Sequence, residues 1–250
     1  MKILLAVDIG NTSVTMGIFK GRRLLKRHSF ATKDPHCTSL IRKVVLRNRI
    51  EDAVVCSVVP AKTREISVAL KRLLSRKPLI IGKDIPVPIK NLYRKQKEVG
   101  QDRLVNAYAG VRLFGAPLVA VDFGTAITFD AVSKKGEYLG GMILPGLGIS
   151  LDALSTRTAL LPAIRLKRPK EFLGKDTGSS MTSGIIYGFA ALTDDLTQRI
   201  RKKIGLNALV IGTGGNIRMI RPYCRKIDKL DQDLTLKGLS LLYSEAKGKR

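Results

Sequence analysis

Apolar and polar positions alternate in the same order in two separate parts of this chain. In residues 3–30, apolar and β-branched stretches are interrupted at 10–11 and 20–21, which predicts strand, turn, strand, turn, strand. The pattern restarts after Pro117 with LVAVDFGTAITFDAVSKKGEYLGGMILPG. In both stretches the first strand ends in Asp, an apolar residue and Gly. The chain is therefore predicted to contain a weak internal repeat.

Helical periodicity predicts most of the segments around these strands. The predicted helices cover residues 39–49, 62–76, 103–114, 149–154, 181–204 and 236–246, with a break in the fifth expected near Gly184 or Gly188. Short apolar runs predict buried strands at 51–59, at 79–81 and in ALVIGTGGN, which runs into a glycine turn. The elements define an α/β protein, which we divide into domains at 1–115 and 116–250. Residues 85–103 form a long irregular stretch of the kind that is usually functional or disordered.

Charge and composition narrow the function classes. Forty-five Lys and Arg against twenty acids give a net charge of +25. These cations are spread along the chain without interleaved aromatic residues, which favours solvated helix faces and attraction of small anions over specific nucleic-acid binding. Three scattered cysteines and two histidines argue against a disulfide framework, a zinc site or a histidine-based triad.

The chain carries no pattern for membrane insertion or secretion. No stretch reaches the about 18 uninterrupted apolar residues of a membrane span. The apolar run in MKILLAV ends at Asp8, too early for a secretory leader. We therefore expect a cytoplasmic protein with no membrane partner.

The repeated Asp-apolar-Gly turn has the chemistry of a phosphate site. Gly10 permits a tight turn and close approach of a ligand, and Asn11, Thr12 and Ser13 offer donors to an anion. A carboxylate beside a phosphate, here Asp8, is favourable only when a cation lies between the two negative groups. One such turn is common as a purely structural feature. Its repetition at 122–125 and the glycine-rich VIGTGG at 210–215 together predict a polyphosphate held in an interdomain cleft, while P-loop and dinucleotide fingerprints are lacking.

The repeated hairpins and the glycine-rich strand end together resemble motifs of a known protein family. The hairpins and GTGG look like the phosphate and adenosine elements of the acetate and sugar kinase, heat-shock protein and actin superfamily. More narrowly, the chain resembles type III pantothenate kinase. The resemblance rests on five stretches in family order: DIGNTSVTMG, VGQDRLVNA, VDFGTAITFD, GGMILPGLGIS and GKDTGSSMTSGIIYG. It implies two actin-like, ribonuclease H-like domains with the nucleotide cleft between them.

The resemblance implies ATP-dependent phosphorylation of pantothenate to 4'-phosphopantothenate, the first step of coenzyme A biosynthesis. Asp102 is implied as the general base and Asp122 as a ligand of a monovalent cation, potassium or ammonium. Asp8 is implied near Mg²⁺, through water. The implied ATP contacts are Asp8, Ile9, Gly10, Asn11, Thr12, Ser13, Val14, Thr15 and Thr125. The implied pantothenate contacts are Tyr93, Gly100, Gln101, Asp102, Arg103 and Thr177, with Thr177 acting across the interface of a homodimer.

Several residues keep plainer interpretations. Asp102 would also cap the helix at 103–114, and Thr177 would also cap the helix predicted from 181. Arg103 would be a surface arginine and Asp122 a turn aspartate. Gln96 stands where the family usually has proline, so the loop that carries Tyr93 is expected to be more mobile. The alternative function is a non-catalytic, nucleotide-binding regulator of the same fold, associated with nucleic acid.

Overall fold

The structure is a computed structural model that describes residues 2–248. The chain forms two compact units. Unit 1 contains residues 1–89, 95–109 and 234–250, and unit 2 contains residues 90–94 and 110–233.

Unit 1 is built on a five-stranded sheet with the order β3-β2-β1-β4-β5. Its first three strands form an antiparallel meander, and β4 and β5 then extend the sheet in parallel with β1. The strands are β1 Ile3–Ile9, β2 Ser13–Lys20, β3 Arg23–Ala31, β4 Asp52–Ser57 and β5 Leu79–Ile80. The helices are α1 Cys37–Arg47, α2 Pro60–Leu74 and α7 Leu234–Gly248, together with the first part of α3 Gln101–Phe114.

Unit 2 repeats this order. Its sheet runs β8-β7-β6-β9-β10, again an antiparallel meander followed by parallel strands. The strands are β6 Leu118–Phe123, β7 Ala126–Val132, β8 Tyr138–Pro145, β9 Leu209–Thr213 and β10 Lys229–Leu230. The helices are α4 Leu147–Arg157, α5 Thr177–Ile204 and the short α6 Ile217–Ile220. The predicted internal repeat is therefore a repeat of sheet topology, as expected for two actin-like domains.

Alternation along the central strands builds the cores. In unit 1, Leu5, Val7 and Ile9 face one buried cluster together with residues of α1 and α2, whereas Leu4 and Ala6 face a second cluster with residues of α3 and α7. Both faces of β1 are thus covered, as is usual for a strand that has a parallel neighbour. Unit 2 has a corresponding cluster between its sheet and helices α4 and α5.

The two units do not follow the predicted division at 115/116, since residues 90–94 and 110–115 lie in unit 2. Helix α7 groups with unit 1, where Leu236 and Leu239 join the cluster around β1. Tyr243 adds a buried hydrogen bond, its hydroxyl donating to Asp52 Oδ2 over 2.8 Å. Sequence order placed this helix with the second half, but its apolar residues are buried against the first.

Helix α5 also differs from expectation, since it runs without a break from Thr177 to Ile204. Both Gly184 and Gly188 lie inside it on exposed turns. The helices from residue 2 to residue 248 include none that is long and apolar enough to cross a membrane.

Candidate active site

The first Asp-apolar-Gly turn joins β1 to β2 and is fixed by hydrogen bonds to its backbone. The Gly10 amide donates to the Ser13 carbonyl over 3.0 Å, which closes the turn. Thr32, the residue after the end of β3, then fixes this turn: its hydroxyl donates to the Gly10 carbonyl over 2.7 Å and its amide to the Thr12 carbonyl over 2.9 Å. The side chains of Asn11, Thr12 and Ser13 are exposed. The turn therefore presents its polar groups outward, and Thr32 is a supporting residue that sequence reasoning missed.

Two carboxylates of unit 1 come close to one buried thiol. Asp8 pairs in register with Cys56 on the neighbouring strand β4. Burial raises the pKa of Cys56 well above its ordinary value, and the charges of Asp8 and Asp102 raise this pKa further. The fold therefore brings Asp8 and Asp102, which are far apart in sequence, into one electrostatic neighbourhood. Only the structure reveals this role of Cys56 as their common neighbour.

Asp102 is the second residue of α3, not the cap that precedes a helix. Its Oδ1 accepts a hydrogen bond from the Arg103 amide over 2.9 Å. Burial raises the pKa of Asp102, while this amide and the charge of Arg103 oppose the increase. A side chain at Gly100 would overlap Asp102 Oδ1, so glycine there leaves room for the carboxylate. The result is a fixed, partly desolvated carboxylate of the kind expected for a general base.

The neighbouring residues of the GQDR segment are also held in place. Arg103 is buried, which excludes the surface-arginine interpretation. Gln101 lies against the backbone of Gly82, where a Cβ would come within 2.7 Å of the Gln101 side chain. Gly82 has φ +80°, a conformation that favours glycine. The long predicted loop thus ends in an ordered helix start.

The second Asp-apolar-Gly turn lies in unit 2 against the glycine-rich end of β9. Asp122 pairs in register with Thr213, and a side chain at Gly214 would overlap Asp122 Oδ1. Gly214 has φ +94°, so both its conformation and its surroundings require glycine. The Thr213 hydroxyl is buried and has no hydrogen-bond partner in the described part of the chain. Asp122 is therefore packed closely against the end of β9, beside the Thr213 hydroxyl, and is more than a residue of an isolated turn.

Thr125 occupies the turn between β6 and β7. Its carbonyl accepts from the Gly146 amide over 3.0 Å, and a side chain at Gly146 would overlap it. Gly146 is the N-cap of α4 and belongs to the GGMILPG stretch. Two of the stretches that define the resemblance therefore meet at Thr125.

Tyr93 is anchored to unit 2 despite the missing proline. Its amide donates to Asn91 Oδ1 over 2.9 Å, and Asn91 forms a β-bridge with Tyr138. Its ring lies 6.4 Å from the Tyr138 ring, between centroids. A side chain at Gly140 would come within 3.3 Å of the Tyr93 ring. These contacts hold the backbone and the ring of Tyr93 against β8.

Thr177 is the first residue of α5 and does not cap it. Asp176 is the N-cap: its Oδ1 accepts from the Ser179 amide over 2.7 Å, and the Ser179 hydroxyl accepts from the Asp176 amide over 3.1 Å. The Thr177 side chain is exposed. The capping interpretation of Thr177 is therefore wrong, and its hydroxyl is available for another contact.

The described residues hold no group of three or more His, Cys, Asp or Glu side chains arranged to bind a metal. Mg²⁺ is often held by one or two carboxylates, waters and the phosphates of a substrate. A single carboxylate such as Asp8, beside the exposed polar side chains of residues 11–13, fits that mode.

The comparisons with known proteins bear on these same stretches. The family model described as type III pantothenate kinase matches residues 4–199. The chain belongs to the type III pantothenate kinase family. The type III pantothenate kinase of Moorella thermoacetica is 40% identical over 251 residues, covering 96% of this chain and 98% of that one. That of Syntrophus aciditrophicus is 39% identical over 250 residues, with the same shares covered.

Solved structures show the same fold at much lower identity. Component A of (R)-2-hydroxyglutaryl-CoA dehydratase from Acidaminococcus fermentans matches with a TM-score of 0.59 and 12% identity, covering 100% of both chains. The ethanolamine utilization protein EutJ from Carboxydothermus hydrogenoformans matches with a TM-score of 0.55 and 12% identity, over 97% of this chain and 90% of that one. The type III pantothenate kinase family thus shares its two-unit fold with proteins of other names.

Proposed function

We propose that this chain transfers the γ-phosphoryl group of ATP to the primary hydroxyl of pantothenate, giving 4'-phosphopantothenate for coenzyme A biosynthesis. The proposal rests on the environment of Asp102: its carboxylate is fixed by the Arg103 amide, and burial raises its pKa. This carboxylate lies in a member of the type III pantothenate kinase family. The family comparisons favour this kinase over the non-catalytic regulator. The cytoplasmic location stays a prediction.

Phosphoryl transfer requires alignment and charge neutralisation more than covalent chemistry. In the proposed mechanism, Asp102 accepts the proton of the attacking hydroxyl as that oxygen bonds to phosphorus. Arg103, which is buried beside it, binds the pantothenate carboxylate, since guanidinium and carboxylate pair bidentately. Gly100 and Gln101 also contact pantothenate in this proposal, and Tyr93 is a further pantothenate contact.

The two Asp-apolar-Gly turns bind ATP in this proposal. Residues 8–15 contact its phosphates through backbone amides and the exposed hydroxyls of the first turn, and Thr125 contributes from the second. Asp8 holds Mg²⁺ through water. Bound Mg²⁺ neutralises charge on the phosphate oxygens.

Asp122 would hold the monovalent cation. The structural support is the buried Thr213 hydroxyl, which lacks a hydrogen-bond partner within residues 2–248 and is paired in register with Asp122. Buried polar atoms without partners commonly mark a water or ion site. A carboxylate and a hydroxyl oxygen are suitable ligands for potassium.

The proposed homodimer would place Thr177 in the partner's substrate site. Near Thr177, the side chains of Phe172 and Leu173 are 66% and 76% exposed, as large apolar residues at an interface would be in a separated chain. Gly184 and Gly188 leave open space on α5, where a Cβ would meet nothing within 4 Å. Light scattering on the purified chain tests this, and a monomer at working concentration would contradict it.

The deciding experiment measures ADP release by the purified chain with Mg-ATP and pantothenate, with and without potassium or ammonium. We expect ADP release that requires pantothenate and rises with the monovalent cation, and a phosphorylated product in mass spectra. ATP binding without pantothenate-dependent release under any cation would contradict the proposal. The Asp102→Asn variant is the matched control for contaminating kinases.

A further inference from the structure

A groove of about 860 Å³ runs between α2 and the β5 region of unit 1. We call it the α2 groove. Its lining includes four basic side chains: Arg64, Lys71, Lys77 and Lys83. A volume in the range of about 300–1,000 Å³ is typical of pockets that hold a small organic molecule.

The α2 groove carries a net positive charge, because four cations and one carboxylate line it. None of these four basic side chains forms an ion pair with any residue in the described range 2–248. The acidic lining residue is Asp84, and its Oδ2 already accepts from the Ile80 amide over 2.8 Å. A concave surface with an excess of one sign of charge concentrates its field and attracts counter-charged ligands.

The floor of the same groove is apolar and accessible. Val58 and Val68 line it with 38% and 46% of their surfaces exposed. On α2, Arg64, Val68 and Lys71 follow a spacing of four and three residues, which puts them on one helix face. The two cations on that face are separated by roughly 10 Å along the helix axis, with the apolar side chain between them.

We propose that the α2 groove binds a single small anionic amphiphile, a molecule that carries a phosphate or carboxylate on an apolar chain. The lysines and Arg64 bind the anionic group, and Val58 and Val68 cover the chain. Its lining shares no residue with those assigned above to ATP and pantothenate, but it adjoins them where the Val58 amide donates to the Ile9 carbonyl over 3.1 Å.

Other occupants fit the α2 groove less well. Its lining includes no aromatic residue on which a nucleobase would stack. Addition of a peptide strand to β5 is disfavoured because β5 has only two residues and Asp84 already accepts from the Ile80 amide. A lipid bilayer is flat, whereas the groove is concave.

Isothermal titration with hexyl phosphate, inorganic phosphate and hexanol tests the proposal, in the presence of a saturating non-hydrolysable ATP analogue that occupies the nucleotide site. We expect hexyl phosphate to bind at least tenfold more tightly than inorganic phosphate, because two buried methylenes alone account for about that factor. Hexanol should bind at least tenfold more weakly than hexyl phosphate, because it lacks the anion.

Variants assign the binding to this groove. Lys71→Glu/Lys77→Glu should weaken hexyl phosphate at least tenfold, whereas Arg22→Glu/Arg23→Glu, with the same change of charge on the β2–β3 turn, should change it less than twofold. Val68→Asn, a change at an exposed position, should weaken hexyl phosphate but not inorganic phosphate. Pantothenate phosphorylation should stay within twofold in all three variants.

Several results would overturn the proposal. They are no measurable binding of hexyl phosphate, equal effects of the two charge-reversal variants, or an unchanged affinity in Val68→Asn. Preferential binding of anionic phospholipid vesicles or of a polyglutamate peptide would replace the small amphiphile with a membrane or an acidic protein. If the double variant fails to fold, Lys71→Gln and Val68→Asn carry the same test.

Discussion

Replacing Asp102 with Asn should remove catalysis while leaving the fold intact or more stable. Asn keeps the shape of Asp and still accepts the 2.9 Å hydrogen bond from the Arg103 amide. It does not accept a proton from the pantothenate hydroxyl. General-base catalysis contributes about 10²–10⁴-fold, so we expect a loss of kcat of that size, or roughly 3–5 kcal/mol of barrier.

The stability effect follows from the direction of the pKa shift. Burial raises the pKa of Asp102 above its ordinary 3.8 in the folded chain. Between 3.8 and this raised value the folded state binds more protons than the unfolded state, so stability falls as pH rises through that window. At neutral pH the ionised carboxylate therefore costs stability. Asn removes this cost, and the gain should disappear below pH 3.8, where Asp102 is protonated in both states.

Two measurements check this prediction. Coupled ADP assays give kcat for both chains, and thermal melts from pH 3.5 to pH 8 give the difference in Tm. The acid limb of the wild-type pH–rate profile should lie above the ordinary pKa of an aspartate. Near-normal turnover of Asp102→Asn would refute the role of Asp102 as general base. A variant less stable than wild type at pH 7 would refute the argument from burial.

Three further substitutions test the supports of the site. Gly214→Ala should lower kcat/KM by about 10–100-fold, because the new Cβ displaces Asp122 and misplacement near 1 Å has effects of that size; steady-state kinetics checks it. Thr213→Val, which removes the unpartnered hydroxyl at constant shape, should raise the potassium concentration for half-maximal activity; an unchanged requirement would argue against the cation site. Tyr243→Phe removes the buried hydrogen bond to Asp52, so we expect a loss of about 1.5–3 kcal/mol and a Tm lower by roughly 3–12 °C in thermal melts, with kcat retained.

Much of this fold was predictable because local patterns and burial agree. Alternation predicted both meanders, and the Asp-apolar-Gly turns fall between strands as expected. Helix starts were less predictable. The helix expected from 62 begins at Pro60. Proline is tolerated in the first turn of a helix because an amide N–H at that position would have no intrahelical partner. Short elements such as α6 and β10 depend on packing, and no periodicity of apolar residues predicted them.

The supports of the site were not predictable because they join residues distant in sequence. Thr32 holds the Gly10 turn from the turn that follows β3, and Gly82 makes room for Gln101. The grouping of helix α7 with unit 1 was not predicted for the same reason, since many of its buried partners lie near the opposite end of the chain. A sequence displays the residues that meet a ligand more readily than those that hold them in place.

The duplicated turn carries two different environments, and this difference bears on function. Asp8 and Asp122 occupy equivalent strand ends in sheets of the same order. Across the parallel neighbour, however, Asp8 faces Cys56 and Asp122 faces Thr213. A protonated thiol is a poor ligand for hard cations, whereas a hydroxyl oxygen is a suitable one. The first turn is therefore suited to Mg²⁺ held through water and phosphate, and the second to direct ligation of a monovalent cation. In the proposed mechanism, the residue on the adjacent strand is therefore what suits the two copies of the motif to different cations.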